Sequence, residues 1–321
     1  MKNSKATTLP PQIDLVYTWV DGNDPEWQKR HNAAVGATQS ASATNCAGRY
    51  ADNDELRYSL RSVERYAPWI RRIFIVTDRQ TPPWLDTSNP KIRIVDHSEI
   101  LPPEALPTFN SVVIEHALHR IPGLAEHFLY ANDDMFFNRE VSPSDFFTPE
   151  GLPIIRFNRR PFRKLTLWLK EHILHDPISN YNNTIRNAAR LVERRFGRYI
   201  GGKTHHNIDA YRKSQYRHAF ELFEKEITPT LQHHSRHPDD IQRNLYSYVP
   251  VAKGRCRLHY VGRDTSFRLH IHRHDHYQKL EKHNPMLFCV NDSQYACDDD
   301  RILLRSFLER RFPDKSGFEI V

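Results

Sequence analysis

The sequence predicts an α/β fold with a largely parallel sheet. Short, apolar and β-branched runs that are typical of buried strands lie at 13–20, 73–77, 91–95 and 128–131. Segments with helical spacing of apolar residues separate these runs. Each run also ends in polar, turn-forming residues. The alternation of strand and helix is the pattern of a parallel α/β layer fold.

Helical segments follow from capping residues and apolar spacing. The segment that opens at Asp52-Asn53-Asp54-Glu55 begins with an Asx N-cap and carries apolar residues at 56, 60 and 63 before Pro68. Residues 111–120 predict a short helix, and residues 300–312 predict a final amphipathic helix. Two more helices are predicted at 211–226 and 238–248, with Pro238 at the first helical position of the latter.

A change of composition divides the chain. Residues 1–12 predict a disordered lead, and residues 13–159 with 203–321 predict the α/β catalytic core. Between them, residues 160–202 predict a basic helical insertion with helices at 164–175 and 179–198.

The charge balance favours anionic partners. The 321 residues hold 46 Lys and Arg, 39 Asp and Glu, and 19 His. A solvated basic surface explains any single cluster equally well. No apolar leader and no run of about 20 apolar residues is seen, so we expect a cytoplasmic protein with possible peripheral contact at the inner face of the membrane. Four scattered cysteines predict no disulfide framework.

Acidic residues follow the predicted strands. Asn132-Asp133-Asp134 ends the run at 128–131, and Asp21 and Asp24 follow the first run. Ligands of open α/β sheets bind beyond the carboxyl ends of the strands, and adjacent carboxylates there suit Mg²⁺ or Mn²⁺. A plain Asx turn at 132–134 is an equally good interpretation of the motif alone.

Two helix starts carry candidate phosphate ligands. Glu55 and Arg57 lie in the first turn of their helix. The negative charge of Glu55 interacts favourably with the helix dipole there. Arg57 is either solvated or binds a phosphate near the helix N-terminus. Arg236 and His237 precede Pro238, so His237 is expected near free backbone N–H groups, as a general base or a phosphate contact. An ordinary surface histidine is the competing interpretation.

Other site classes are disfavoured by spacing. The string His270-Ile271-His272-Arg273-His274-Asp275-His276 approaches a zinc motif of metallo-β-lactamases, but Asp275 follows His274 directly, so the spacing fails. Glycine-rich nucleotide loops and a Gly-x-Ser-x-Gly elbow are missing from the sequence. A kinase, a dehydrogenase and a serine hydrolase are therefore disfavoured.

Together these segments resemble the Stealth family, which includes bacterial capsular polysaccharide phosphotransferases and the N-acetylglucosamine-1-phosphotransferase of animals. The matching segments are 13–27 (IDLVYTWVDGNDPEW), 52–85 and 109–137 (the latter ending in FLYANDDMFF), 203–214 with 236–248 (KTHHNIDAYRKS and RHPDDIQRNLYSY), and 287–294 (LFCVNDSQ). The third departs from the family's pattern at His205-His206-Asn207.

The resemblance implies a fold and a reaction. It implies a glycosyltransferase-A-like core that uses Mg²⁺ or Mn²⁺. The expected donor is a UDP-sugar and the expected acceptor is a glycan hydroxyl, with no nucleic acid as partner. Attack at the sugar-proximal phosphorus would form a phosphodiester and release UMP. A glycosyltransferase that releases UDP, or a basic protein that only binds an anionic polymer, are the alternatives.

The resemblance also implies residue roles. For metal binding it implies Asp133 and Asp134, with Asp292 as a helper. For phosphate contact it implies Arg57, Arg236 and Arg263. Asp21 and Asp24 are implied to border the nucleotide pocket, and His205 to contact the substrate. Glu55 is implied to orient Arg57 or a substrate hydroxyl. His237 is implied as the general base, because its ordinary pKa of about 6.5 lies near the working pH.

Overall fold

The computed structural model describes residues 12–35, 52–160, 162–176 and 178–320. Almost all of the predicted disordered lead therefore lies outside the described residues. The strands are β1 (Ile13–Thr18), β2 (Ile73–Thr77), β3 (Ile92–Asp96), β4 (His127–Asn132), β5 (Met135–Phe137), β6 (Ile154–Asn158), β7 (Lys203–Thr204), β8 (Asp209–Arg212), β9 (Arg257–Tyr260), β10 (Ser266–His270) and β11 (Leu287–Asn291). The α-helices are α1 (Pro25–Val35), α2 (Glu55–Tyr66), α3 (His97–Ile100), α4 (Ser111–Ala117), α5 (Arg163–His172), α6 (Asn180–Phe196), α7 (Lys213–Leu222), α8 (Glu224–Leu231), α9 (Asn244–Ala252), α10 (Asp275–His283) and α11 (Asp298–Arg311).

A five-stranded sheet forms the centre of the fold, in the order β3-β2-β1-β4-β8. Strands β1 to β4 are parallel, and β8 runs antiparallel to β4. The register pairs Thr18 with both Val76 and Asn132, so β1, β2 and β4 end at the same edge. The predicted α/β class with a mostly parallel sheet is confirmed.

Two smaller sheets flank the central one. In the first, β11 pairs in parallel with β10 and antiparallel with β5. In the second, β6 lies between β7 and β9. Only two residues, Asp133 and Asp134, separate β4 of the central sheet from β5 of the first flanking sheet. This turn therefore joins two sheets.

The apolar core lies on both faces of the central sheet, as alternation along β1 requires. Leu15 and Tyr17 pack in a cluster with α2, whereas Val16 packs in a cluster on the opposite face. That second cluster also contains Ile185 and Val192 of α6. The predicted insertion at 160–202 therefore contributes a helix to the core beside the sheet, and its status as a separate unit remains a prediction.

Two predicted helices are wrong in part. The segment 211–226 begins as β8 and then forms α7 and α8, and the segment 238–248 becomes helical only at Asn244. In the non-helical segment before Asn244, the buried Asp240 carboxylate accepts hydrogen bonds from the His237 backbone N–H at 3.0 Å and from Asn110 Nδ2 at 2.9 Å. His237 therefore lies in a turn and not at a helix start.

The predicted Asx cap of α2 is also corrected. Asp54 occupies the N-cap position with φ of 66°, and its side chain caps no backbone N–H. Asp52 Oδ1 instead accepts the hydrogen bond of the Asp54 N–H at 2.8 Å. Among the helices that the structure describes, none combines the length and apolar character needed to cross a membrane.

Candidate active site

A cavity of about 510 Å³ opens where β1, β2 and β4 end, and Thr18, Val76 and Asn132 line it. This is the place where open α/β sheets bind ligands. Of the predicted site residues, the cavity brings together Glu55, Asp133, Asp134, Arg236, His237 and Asp292.

The two-residue turn after β4 supplies a pair of buried carboxylates. Asp133 Oδ1 accepts a hydrogen bond from the Asp134 N–H at 3.1 Å, and the Asp134 carbonyl accepts one from the Val290 N–H at 2.9 Å. Asp134 Oδ1 is buried and has no hydrogen-bond partner within the described part of the chain. Burial raises the pKa of Asp134 to about 7. Burial and then the charge of Asp134 raise the pKa of Asp133 well above its ordinary value.

This pair fits a hard divalent cation. Mg²⁺ takes oxygen ligands and commonly uses one or two carboxylates, with water and substrate phosphates completing its shell. The unpartnered Oδ1 of Asp134 is an oxygen of the right kind. Across residues 12–35, 52–160, 162–176 and 178–320, no group of three or more His, Cys, Asp or Glu is arranged for metal binding. Water and substrate would therefore have to supply the remaining ligands.

Asp292 lines the same cavity but is engaged elsewhere. Its Oδ2 accepts a hydrogen bond from Arg301 Nε at 2.8 Å, and its Oδ1 accepts one from Arg301 Nη2 at 3.2 Å. A bidentate pair of this kind holds both oxygens in one plane. Asp292 would have to share an oxygen with Arg301 to assist a metal, so its helper role remains a prediction.

Glu55 faces the cavity from the start of α2. Its carboxylate accepts hydrogen bonds from the Asn53 N–H at 2.6 Å and from Asn53 Nδ2 at 2.8 Å. Burial raises the pKa of Glu55 to about 7 and that of Asp52 to about 6. Glu55 thus shapes the segment before α2, and its hydrogen-bond partner is Asn53 instead of the expected Arg57.

Arg57 is directed away from this cavity. Its Nε lies 3.8 Å from Glu319 Oε2, and its guanidinium stacks over the Trp84 ring at 5.0 Å. It does not line the cavity. An α-helix presents successive residues on different sides, so Glu55 and Arg57 face different surroundings although both lie in the first turn.

Arg236 and His237 add basic side chains to the lining of the same cavity. Arg236 Nη2 donates a hydrogen bond to Ser111 Oγ at 3.0 Å. The His237 side chain is about half exposed. Its Nδ1 lies 3.3 Å from the Asp239 backbone nitrogen and 3.6 Å from Asp239 Oδ2. A ligand in the cavity can therefore meet these side chains as well as the carboxylate pair.

Three predicted residues lie at turns outside the cavity lining. Asp21 Oδ1 accepts a hydrogen bond from the Asn23 N–H at 2.8 Å. Asp24 Oδ2 accepts one from Gln80 Nε2 at 2.9 Å, and this bond lowers the pKa of Asp24. Both carboxylates therefore stabilise the turn that leads into α1. Arg263 is exposed in the turn before β10.

His205 is buried and does not line the cavity, whereas its neighbour His206 does. His205 Nε2 lies 3.3 Å from Asp209 Oδ1. His206 lines the cavity, with a left-handed backbone at φ of 51°. Burial, followed by the charges of Arg268 and Arg243, lowers the pKa of His206 to about 3. His206 is therefore neutral. The sequence does not predict its place in the site, because it does not show which side chain of a His-His pair faces the cavity.

The sequence also did not predict a buried ionic network at the cavity, whose members Arg243 and Glu115 belong to the lining. Arg243 Nη1 donates hydrogen bonds to Asp209 Oδ2 at 2.7 Å and to the Tyr211 hydroxyl at 2.6 Å. Its Nε lies 3.4 Å from Glu115 Oε1, and its guanidinium lies over the Tyr130 ring at 4.5 Å. Because these partners are distant in sequence, no local sequence pattern predicts the network.

Two models of conserved protein regions match parts of the chain. The model described as Stealth protein CR1, conserved region 1, matches residues 11–39, and the model described as Stealth protein CR2, conserved region 2, matches residues 49–155. The chain belongs to the Stealth family. The second region includes Glu55 and the Asp133–Asp134 turn.

Curated relatives agree with this membership. The chain is 38% identical over 322 residues to an exopolysaccharide phosphotransferase of Streptomyces coelicolor, covering 96% of this chain and 52% of the relative. It is 37% identical over 324 residues to the exopolysaccharide phosphotransferase CpsY of Mycobacterium tuberculosis, covering 96% of this chain and 58% of the relative. This Stealth chain thus spans somewhat more than half the length of these relatives.

Solved structures with a similar arrangement are glycosyltransferases. The galactosyltransferase LgtC has a TM-score of 0.46 at 12% identity, with 94% of this chain and 96% of that chain covered. Mouse xyloside xylosyltransferase 1 has a TM-score of 0.41 at 11% identity, with 88% and 98% covered. Scores and identities this low support no statement about substrate or chemistry.

Proposed function

We propose that this chain transfers a sugar-1-phosphate group from a UDP-sugar to a glycan hydroxyl, and that a phosphodiester and UMP are the products. The proposal is carried by one observation, that a single cavity is lined both by the buried pair Asp133 and Asp134 and by Arg236 and His237. Family membership and the names of the curated relatives, exopolysaccharide phosphotransferases, support it.

The carboxylate wall is assigned to the diphosphate of the donor. Asp133 and Asp134 would hold Mg²⁺ or Mn²⁺, which when bound offsets the charge of the phosphate oxygens. Arg236, which lines the same cavity, is assigned to donate N–H groups to a phosphoryl oxygen. Charge-assisted hydrogen bonds of this kind strengthen as negative charge builds up. The reaction forms a bond between the acceptor oxygen and phosphorus and breaks the bond between that phosphorus and the oxygen of UMP.

His237 is assigned to the proton of the acceptor hydroxyl. In the structure Nδ1 accepts a hydrogen bond from the Asp239 N–H at 3.3 Å, which in a neutral ring puts the proton on Nε2. Nε2 becomes the proton acceptor in the other tautomer, whose Nδ1–H would face Asp239 Oδ2, 3.6 Å away. His206, neutral and facing the same cavity, is the alternative base.

An aromatic wall offers a place for the nucleobase or sugar. Trp27 and Phe109 line the cavity and meet edge to face, with ring centroids 5.4 Å apart. Val20 and Val112 extend this wall. Flat apolar surface beside a charged wall suits a ligand with a ring at one end and a diphosphate at the other.

The test is an analysis of products. The chain is incubated with a panel of UDP-sugars, Mg²⁺ and glycan acceptors, and nucleotides and acceptors are measured by mass spectrometry. We expect UMP and an acceptor heavier by one sugar phosphate, and loss of both products when a chelator replaces Mg²⁺. Release of UDP would make the chain a glycosyltransferase. Polymer binding without turnover of any UDP-sugar would make it a binding protein.

A further inference from the structure

Helix α5 has an apolar face that packs against nothing in the described part of the chain. Its exposed apolar face consists of Phe162, Leu165, Trp168, Leu169, Ile173 and Leu174. Phe162 is 77% exposed and Leu174 is 67% exposed, and no residue of α5 is buried. Phe162, Leu165, Leu169 and Ile173 recur at spacings of three and four, which places them on one side of the helix. Contiguous apolar surface of this kind marks an interaction site.

The polar side of α5 is already occupied. Glu171 Oε2 lies 2.8 Å from Arg186 Nη1, and Lys164 Nζ lies 2.5 Å from Glu193 Oε1. Both partners belong to α6, whose own apolar side is in the core. These ion pairs fix the orientation of α5, so the exposed apolar face is turned away from α6 and the core.

The charge around this face identifies the partner. Residues 159–198 contain ten Lys and Arg against three Asp and Glu, and this difference of seven equals the formal net charge of the whole chain, +7. Arg159, Arg160, Arg190, Arg194 and Arg195 are exposed and form no ion pair with any described residue. An apolar stripe with Trp and Leu, bordered by cations, is the composition of helices that lie in the surface of anionic membranes.

Helix α5 lies beside the rim of the cavity. Helix α6 begins at Asn180, and Asn180 and Tyr181 line the cavity. Arg163 Nη2 donates a hydrogen bond to Asn182 Oδ1 at 3.4 Å, which ties α5 to this rim. A surface that lies against α5 is therefore adjacent to the cavity.

We propose that the exposed apolar face of α5, together with the surrounding arginines, docks this chain onto an anionic phospholipid surface beside the cavity. This goes beyond the proposed reaction and does not depend on it. The Leu and Phe side chains enter the boundary between headgroups and acyl chains, and the arginines contact lipid phosphates.

Vesicle binding tests the proposal without measuring catalysis. The full chain is sedimented with vesicles of phosphatidylcholine alone and with vesicles that mix phosphatidylcholine and phosphatidylglycerol. We expect binding only to the mixed vesicles, weakened by high salt. The double variant Leu165→Ser, Leu169→Ser should bind at least about tenfold more weakly, because burial of the apolar face drives insertion. Since neither leucine is buried, the variant should fold like the parent.

Ile302→Ser is the matched control, because Ile302 is an exposed apolar residue on α11, outside this face. It should bind vesicles like the parent. A blue shift of tryptophan fluorescence on mixed vesicles should be absent in Trp168→Phe. Equal binding of the double variant and the parent, or equal binding to both vesicle types, overturns the proposal. So does a dimer that the double variant loses while neither protein binds vesicles, since a second copy would then cover the face.

Discussion

Asp134 combines burial, a second carboxylate next to it and an oxygen without a described partner. The substitution Asp134→Asn keeps its shape and removes its charge. We expect transfer to fall by about 10²-fold or more, because the ligand for the cation is lost. The free energy of unfolding without metal should stay equal or rise, since repulsion between two buried carboxylates is relieved.

The measurements are UMP release and urea denaturation in the presence of a chelator. Asp299→Asn on α11 is the control, because Asp299 is exposed and does not line the cavity. Full activity of Asp134→Asn would remove the carboxylate pair from the mechanism.

The two histidines that face the cavity can be separated. His237→Ala should lower the rate of transfer by about 10²- to 10⁴-fold at saturating donor, the usual contribution of a general base, with little change in donor binding. The His237 side chain is half exposed, so its removal should not disturb folding, and the loss of activity can be assigned to the missing imidazole. If His206→Ala shows the large loss and His237→Ala does not, the proton acceptor is His206.

At the scale of elements, Arg243 of the segment before α9 joins β8 and α4. Its loss leaves Asp209 and Glu115 buried without a cation. Arg243→Met should therefore lower the free energy of unfolding by about 3–5 kcal/mol, the cost of breaking a buried ion pair from one side. Urea denaturation measures this. Arg190→Met on α6, an exposed position, should change it by less than about 0.5 kcal/mol.

The elements differ in how far the sequence predicts them. Strands β1 to β4 are local apolar runs that end in turn residues, so their type and approximate bounds were predicted. Strand β5 has only three residues. Its pairing with β11 joins residues as distant as Phe137 and Leu287, which no local pattern reveals. The helix expected from Pro238 begins only at Asn244. The preceding segment is held by tertiary contacts such as that of Asp240 with Asn110, 130 residues away, which the local sequence does not reveal.

The same reasoning applies to the site. Asp133 and Asp134 follow a strand directly, so the end of that strand determines their place, and they line the cavity. Arg57 has a long side chain on a helix, and Glu319, far along the chain, determines its direction. Acids at turns, such as Asp21 and Asp24, equally serve the turn itself. Asp24 is held in addition by Gln80, which is distant in sequence.

For the whole molecule, the dependence of stability on pH is a balance between buried groups. Burial lowers the pKa of His116 to about 3 and that of His119 to about 4. The unfolded chain takes up these protons below about pH 6.5 while the folded chain does not, so their contribution to stability is complete above pH 6.5 and is lost as the pH falls. Glu55, with its pKa raised to about 7, acts in the opposite direction, losing stability as the pH rises.

The substitution His116→Asn isolates one side of this balance. His116 Nε2 donates to the Ile241 carbonyl at 2.7 Å. In the neutral ring, which burial favours, Nδ1 accepts from the Tyr246 hydroxyl at 2.5 Å. The destabilisation caused by His116→Asn, measured by urea denaturation, should shrink by about 2 kcal/mol between pH 7 and pH 5. A cost that is equal at both pH values would show that the ring is protonated in the folded chain.

The turn between β4 and β5 has a consequence for synthesis on the ribosome. Strand β5 ends at Phe137, but its partner β11 begins at Leu287, so the ribosome must add 150 more residues before that pairing is possible. Until then β5 has no sheet partner, and of its neighbours only α2 holds it, through Ser59 and Ser62. A nascent chain therefore completes its acidic centre late in translation, after most of the parallel sheet has already emerged.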